Sequence, residues 1–226
     1  MGTELRAHRR RPAVGRRRPS REGSHVRLVA DRVGHRFPGQ HPLFTDVSFE
    51  LTPTSLYGIV GPSGSGKSTL LSILSGGLTP TAGSITADGV ERIGWIMQNP
   101  VGPPRRTALD QIVLPLLARG YTRAEAEPEA EELLQRFGLG EVAGREFRRL
   151  SGGEAQRLCL ARAVASNHDA ILIDEPTAQL DRDTAHSISD VIREMVSKER
   201  IVVLATHDEL LKKRCDELLN IAEEKP

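Results

Sequence analysis

Apolar and polar positions alternate through residues 26–37 and 43–51, where Val47, Phe49 and Leu51 fall on one side. A period of two predicts β-strands with one exposed face. Residues 56–60 form a short apolar run that leads straight into Gly61 and predicts a further strand. Over residues 67–75 the period lengthens: Leu70, Leu71 and Leu74 share one helical face, and Gly76-Gly77 ends it. Residues 83–89 read as a strand and turn, and residues 93–97 as a strand leading to Gln98.

The second half of the chain favours helices. Thr122 and Glu125 have capping-box spacing, and Ala130, Leu133, Leu134 and Phe137 supply an apolar face closed by Gly138. Pro128 is expected to kink or restart that helix. A second helix is predicted from about Gly153 to Ala165. Residues 170–173 are uninterruptedly apolar, as in a strand covered on both faces. Ile188, Val191, Ile192 and Met195 recur at helical spacing, and residues 201–205 form another buried strand ending at Thr206-His207. This succession of strands and helices predicts an α/β fold, a parallel sheet with helices on both faces. No internal repeat is visible.

Composition changes the picture in three places. The chain has 226 residues, 38% of them hydrophobic but only 4% aromatic, so Leu, Ile, Val and Ala must fill the core. No run approaches the roughly 20 apolar residues of a membrane span, and the start lacks the apolar segment of a secretory signal. A soluble, cytoplasmic protein is therefore expected, reaching a membrane only through a partner. Cys159 and Cys215 are too few for a disulfide framework, no Cys/His cluster suggests zinc, and Cys159, between Leu158 and Leu160, reads as a small core residue.

The net charge of +1 hides an asymmetry. Residues 1–24 carry eight arginines against Glu4 and Glu22, a local balance of +6. Two readings follow: an arm for nucleic acid or anionic membranes, or a solvated and functionally quiet tail. No aromatic residue interleaves the arginines, which favours the quiet tail. The 26 arginines against five lysines point to a GC-rich bacterial genome.

The chemistry is concentrated in three segments. Gly61, Pro62, Ser63, Gly64, Ser65, Gly66, Lys67, Ser68 and Thr69 fit the phosphate-binding pattern G-x-x-x-x-G-K-[ST], between a predicted strand and a predicted helix. Glycines let the backbone wrap a phosphate, and the helix start adds positive potential. Lys67 neutralises phosphate oxygens, and the Ser68 hydroxyl can ligate Mg²⁺. Asp174 and Glu175 close a buried strand at the ligand edge of an open α/β sheet. Asp174 can hold Mg²⁺ through water, and Glu175 can orient or deprotonate an attacking water. The third segment, Leu150 followed by Ser151, Gly152, Gly153 and Glu154, is a second glycine turn opening a helix and reads as a second anion site.

These segments, in this order, resemble the ATP-binding cassette (ABC) ATPases, whose signature is LSGGQ-like. The resemblance covers residues 26–215 and implies a phosphate-loop NTPase core: a parallel sheet, a small antiparallel β subdomain and an inserted helical subdomain at roughly 99–165. Domain boundaries follow, with residues 1–24 as a basic tail and 25–226 as the cassette. It also implies ATP and Mg²⁺ as cofactors. In that family the signature of one subunit closes over ATP held by the other, so the resemblance implies an ATP-bound head-to-tail homodimer. By the same resemblance Phe37 stacks on adenine, Gln98 touches Mg²⁺ and the attacking water, Asp181 communicates across the dimer, and His207 contacts the γ-phosphate. The implied partner is an integral-membrane permease on a separate chain, which would hold the cassette at the inner face of the cell membrane. No specific nucleic acid is expected; a soluble ABC module acting on a nucleic-acid complex is the alternative. Residues 107–120 look most like the cassettes of lipoprotein-release, macrolide-export and cell-division-type permeases. One departure is the short link between Gly89 and Ile93, from which a trimmed antiparallel arm is expected. Pro100, Pro103 and Pro104 mark the segment where family members receive the membrane partner.

Overall fold

The structure is a computed structural model that describes residues 26–178 and 180–221. The basic tail of residues 1–24 lies outside the described residues, so both readings of it stay at the level of sequence. The chain begins with β1 (Arg27–His35), β2 (Phe44–Leu51) and β3 (Leu56–Val60), then α1 (Lys67–Leu74), β4 (Ala82–Asp88) and β5 (Ile93–Ile96). Three helices follow, α2 (Ala108–Ala118), α3 (Arg123–Arg136) and α4 (Gly152–Ala165), with two short 3₁₀ turns between α3 and α4. The last elements are β6 (Ala170–Asp174), α5 (Arg182–Glu194), β7 (Ile201–Thr206), α6 (Glu209–Lys212) and β8 (Glu217–Asn220).

The strands form two sheets. A three-stranded antiparallel sheet has the order β2-β1-β4, and a five-stranded parallel sheet the order β5-β6-β7-β3-β8. β6 and β7 are buried along their whole length. Ile171, Ile173, Val202 and Leu204 face a core shared with α2, α3, α4 and α5. Their neighbours Leu172, Val203 and Ala205 face a second core, with α1 and the antiparallel sheet. The apolar run at 170–173 is therefore apolar because both faces are covered. Only the link Gly89–Arg92 separates β4 from β5, in keeping with a short antiparallel arm.

Three elements differ from expectation. α3 runs through Pro128 as a single helix with no restart. Pro128 is exposed, so water can satisfy the carbonyl its ring leaves without a donor, while Ala126, Ala130 and Leu134 hold the opposite face in the core. β5 stops at Ile96, which puts Gln98 in the loop beyond the strand rather than at its end. β8 has no counterpart in the hydrophobic pattern. Its exposed, mixed sequence Glu-Leu-Leu-Asn becomes a strand by pairing in parallel with β3 at the sheet edge.

Candidate functional site

Strand order assembles the site. β7 lies between β3 and β6, and all three run parallel. The chain leaving β3 carries Gly61 to Thr69, the chain leaving β6 carries Glu175, and the chain leaving β7 carries His207. These segments, far apart in sequence, emerge side by side at the C-terminal edge of the sheet, where open α/β folds bind ligands.

The loop after β3 opens α1 without a side-chain cap. Its N-cap Gly66 has φ +99°, a left-handed conformation costly to residues with a Cβ. A Cβ there would also sit 2.9 Å from the Phe44 ring, which packs beneath the loop. The first turn of α1 has no acidic residue, and Lys67 is its first residue. Uncapped N–H groups and a cation together make a cradle for an anion. Ser65 contributes a buried hydroxyl without a partner, while Pro62, Ser63 and Gly64 stay exposed at the tip and Thr69 lies half-buried in α1.

Lys67 is 93% buried in its side chain and holds three oxygens. Its Nζ donates to the carbonyls of Gly61 at 3.1 Å and Pro62 at 3.2 Å, and lies 3.3 Å from Glu175 Oε1. The same Oε1 is 2.9 Å from His207 Nδ1, and Oε2 accepts from the His207 backbone N–H at 3.3 Å. A carboxylate only accepts, so Nδ1 carries the proton and Nε2 points away from Glu175. Glu175 thus links the phosphate-loop lysine to the histidine after β7. It does so from φ +42°, strained for a residue with a Cβ, while its N–H continues the ladder by bonding Ala205 O at 2.9 Å. A second tie keeps these turns together: Thr177 Oγ1 donates to Asp208 Oδ2 at 2.9 Å, and Asp208 caps α6. Thr177 and Asp208 are positioning residues that the motif reading missed; only the N-cap position of Asp208, just before a short helix, carried a signal.

Asp174 ends β6 beside Glu175. Its carboxyl is pushed above the usual aspartate range, first by burial and then by the Glu175 charge, against the opposing Ser68 hydrogen bond and Lys67. Its Oδ1 is buried with no partner among the described residues. An unpartnered carboxylate oxygen beside a serine hydroxyl is a hard-oxygen pair suited to Mg²⁺, the remaining ligands coming from phosphate and water. Among the described residues no group of three or more His, Cys, Asp or Glu could hold a metal ion, so any cation here needs those outside ligands.

The other expected residues fall in two further places. Ser151 caps α4: its hydroxyl accepts from Glu154 N–H at 3.2 Å, and Glu154 Oε2 accepts from Ser151 N–H at 2.7 Å. Glu154 also pairs with Arg145 at 3.2 Å, so its carboxylate serves the helix cap. Gly152 is exposed, whereas Gly153 is buried, and a Cβ on Gly153 would lie 2.5 Å from Thr184 Cγ2. Thr184 in turn donates to Asp181, the N-cap of α5, at 2.7 Å. The glycine turn and Asp181 are therefore neighbours through Thr184. Phe37 lies just past β1, 39% exposed, edge-on to His35 at 4.9 Å, and lines a cavity of about 620 Å³ with Arg36, Gln40 and Leu78. Gln98 is exposed beyond β5.

Residues 44–178 match the family described as ABC transporter. An uncharacterized ABC transporter ATP-binding protein of Mycobacterium tuberculosis is 38% identical over 190 residues, covering 77% of this chain and 58% of that protein. The chain thus spans a little over half the length of these first curated relatives. The lipoprotein-releasing system ATP-binding protein LolD of Maricaulis maris is 38% identical over 201 residues, covering 82% of this chain and 88% of that protein. Among solved structures, an ATP-binding cassette in a dimeric post-hydrolysis state bound to ADP and phosphate superposes with TM-score 0.74 at 27% identity, covering 86% of this chain and 94% of that one.

Proposed function

The chain belongs to the ABC transporter family of ATP-binding proteins, and from that premise we propose that it binds and hydrolyses ATP and thereby energises a membrane permease carried on a separate polypeptide. One observation carries the catalytic half: Lys67 and His207 both converge on Glu175, at the mouth of an uncapped helix start. A triphosphate in the loop competes with Glu175 for the Lys67 ammonium, since its oxygens carry more charge. Glu175, released from Lys67, keeps His207 on its other side and is free to accept a proton from water. His207, oriented through Nδ1, presents Nε2 outward. Asp174 and the Ser68 hydroxyl would hold Mg²⁺, which when bound neutralises charge on the transferring phosphoryl group. Gln98 and Phe37 would complete the site at the cation and the adenine.

Ser151 and Glu154 satisfy each other's backbone N–H groups, and Gly153 packs beside Thr184 and Asp181, which supports a head-to-tail homodimer with each signature turn closing over the other subunit's ATP. We take residues 25–226 as the cassette and roughly 99–165 as its helical insert. No helix among the described residues is long and apolar enough to cross a membrane. Attachment to the inner face of the cell membrane would then run through the permease. The groove beside Pro100 and Pro103, where family members receive their membrane partner, is the docking surface. The relationship to LolD proteins favours a permease of the lipoprotein-release type.

The test is steady-state phosphate release with Mg-ATP. Glu175→Gln keeps the volume of the side chain but removes its basicity, so turnover should fall about 10²–10⁴-fold while ATP still binds. Turnover near the parent rate would remove Glu175 as the base.

A further inference from the structure

The loop after β5 and the facing sides of α2 and α4 enclose a groove of about 470 Å³. Its apolar wall is exposed where a monomer ordinarily hides such residues: Met97 is 55% accessible, Val101 62% and Leu114 38%. Arg162 and Gln111 are set into that wall, beside Asn99, Ser166 and His168. Arg162 donates from Nη1 to Gln111 Oε1 at 2.9 Å and from Nη2 to Val101 O at 2.7 Å, and meets no carboxylate among the described residues. Gln111 is 1% exposed, and because its Oε1 is taken by Arg162, its Nε2 is left as a buried donor without a partner. Among the described residues no aspartate or glutamate lines the groove. His168, at its far end, has its pKa lowered, mainly by burial, which favours the uncharged ring.

We propose that this groove selects an acidic docking segment: an amphipathic stretch of the membrane partner whose apolar side chains cover Met97, Val101 and Leu114, and whose carboxylate enters to meet Arg162 and Gln111 Nε2. This rests on the reading that the groove receives the permease, and adds which chemistry it recognises there. The carboxylate is the natural complement for two reasons. It accepts only, matching a site that still has donors to give, and it supplies the counter-charge that Arg162 lacks. A neutral amide would satisfy Gln111 and leave the guanidinium uncompensated; a lysine would oppose it.

Trp95, the only tryptophan in the chain, lines the groove and reports its occupancy by fluorescence. The probes are three 16-residue helical peptides with one shared leucine face and a central Glu, Gln or Lys. They are titrated into the full chain while Trp95 emission is followed. The Glu peptide should bind at least about tenfold tighter than the Gln peptide, and the Lys peptide weakest. Arg162→Gln should abolish the preference for Glu over Gln, and Arg162→Lys should restore part of it. Circular dichroism establishes that both variants are folded. Equal binding of the Glu and Gln peptides would overturn the acidic selection while leaving the groove as a docking surface. A Trp95 signal that no peptide moves would overturn both.

Discussion

α1 and α4 both begin at glycine turns, and both were read in the sequence as anion sites, yet they are built in opposite ways. α1 starts from a left-handed glycine with no side-chain cap, no acid in its first turn and a buried lysine as its first residue. α4 starts from a reciprocal capping box, with Ser151 and Glu154 each satisfying the other's backbone N–H. The first helix start has uncapped N–H donors for a ligand and a lysine that a phosphate can draw away from Glu175. The second is complete within its own chain and carries a carboxylate exactly where a phosphate would be repelled by it if unpaired; Arg145 offsets that charge. The difference supports the proposal that one turn holds phosphate by itself, whereas the other adds modest potential to an anion already held elsewhere. That division of labour is what a composite site between two chains requires.

The sharpest way to break the comparison is to remove the charge from the open end. Lys67→Ala deletes the cation beside the phosphates, and ATP affinity should fall about 10- to 100-fold, the scale of a hydrogen bond to a charged group. Isothermal titration reads this directly, and an unchanged affinity would mean that backbone N–H groups alone make the cradle.

Substitution of the glycines sharpens the contrast next. Gly66→Ala meets both a left-handed φ and the Phe44 ring, so it should cost at least about 1–2 kcal/mol and lower Tm by several degrees. Gly152→Ala meets only Leu180, at 3.9 Å, and should be neutral or slightly stabilising. Equal losses at both positions in a thermal melt would contradict the account.

A smaller effect separates the two carboxylates by pH. The Ser151 backbone hydrogen bond, ahead of the Arg145 charge, holds Glu154 below the usual glutamate range. Its stabilisation is therefore present above the unfolded pKa and is lost as pH falls through the lower folded value. Asp174 is shifted upward, chiefly by burial. The folded chain binds its proton more tightly than the unfolded chain, so its contribution to stability declines as pH rises from the unfolded value through the folded one. At neutral pH without Mg²⁺, Asp174→Asn should raise Tm and Glu154→Gln should lower it. The same sign for both would refute the assignment of one carboxylate to a ligand and the other to a helix cap.

The parallel core was legible in sequence because the runs at 56–60, 170–173 and 201–205 are apolar on both faces, which few other structures require. The candidate residues of the phosphate loop stood out in sequence because that loop needs its glycines and lysine in a fixed order. Their mutual contacts were not: nothing in the spacing of Lys67, Glu175 and His207 says that β7 lies between β3 and β6. Ser151 and Glu154 have the same S/T-x-x-E/Q spacing as Thr122 and Glu125, so the cap on α4 was readable, but the glycines drew attention to anion binding instead. β8 was invisible because edge pairing, rather than burial, makes it a strand. Gln111 and Arg162 carry no motif, and the unpartnered Gln111 Nε2 beside an arginine without a carboxylate exists only once α2 and α4 pack together.

The central claim, one turn sufficient for ATP and the other acting only across a chain interface, is tested most directly by light scattering and ATP titration on Glu175→Gln with and without Ser151→Arg. The account predicts that both proteins bind Mg-ATP with the same affinity as dilute single chains, and that only Glu175→Gln doubles its mass when ATP is added. If Ser151→Arg lowers the affinity of the single chain, or if the double variant still doubles its mass, the division between the two helix starts is wrong.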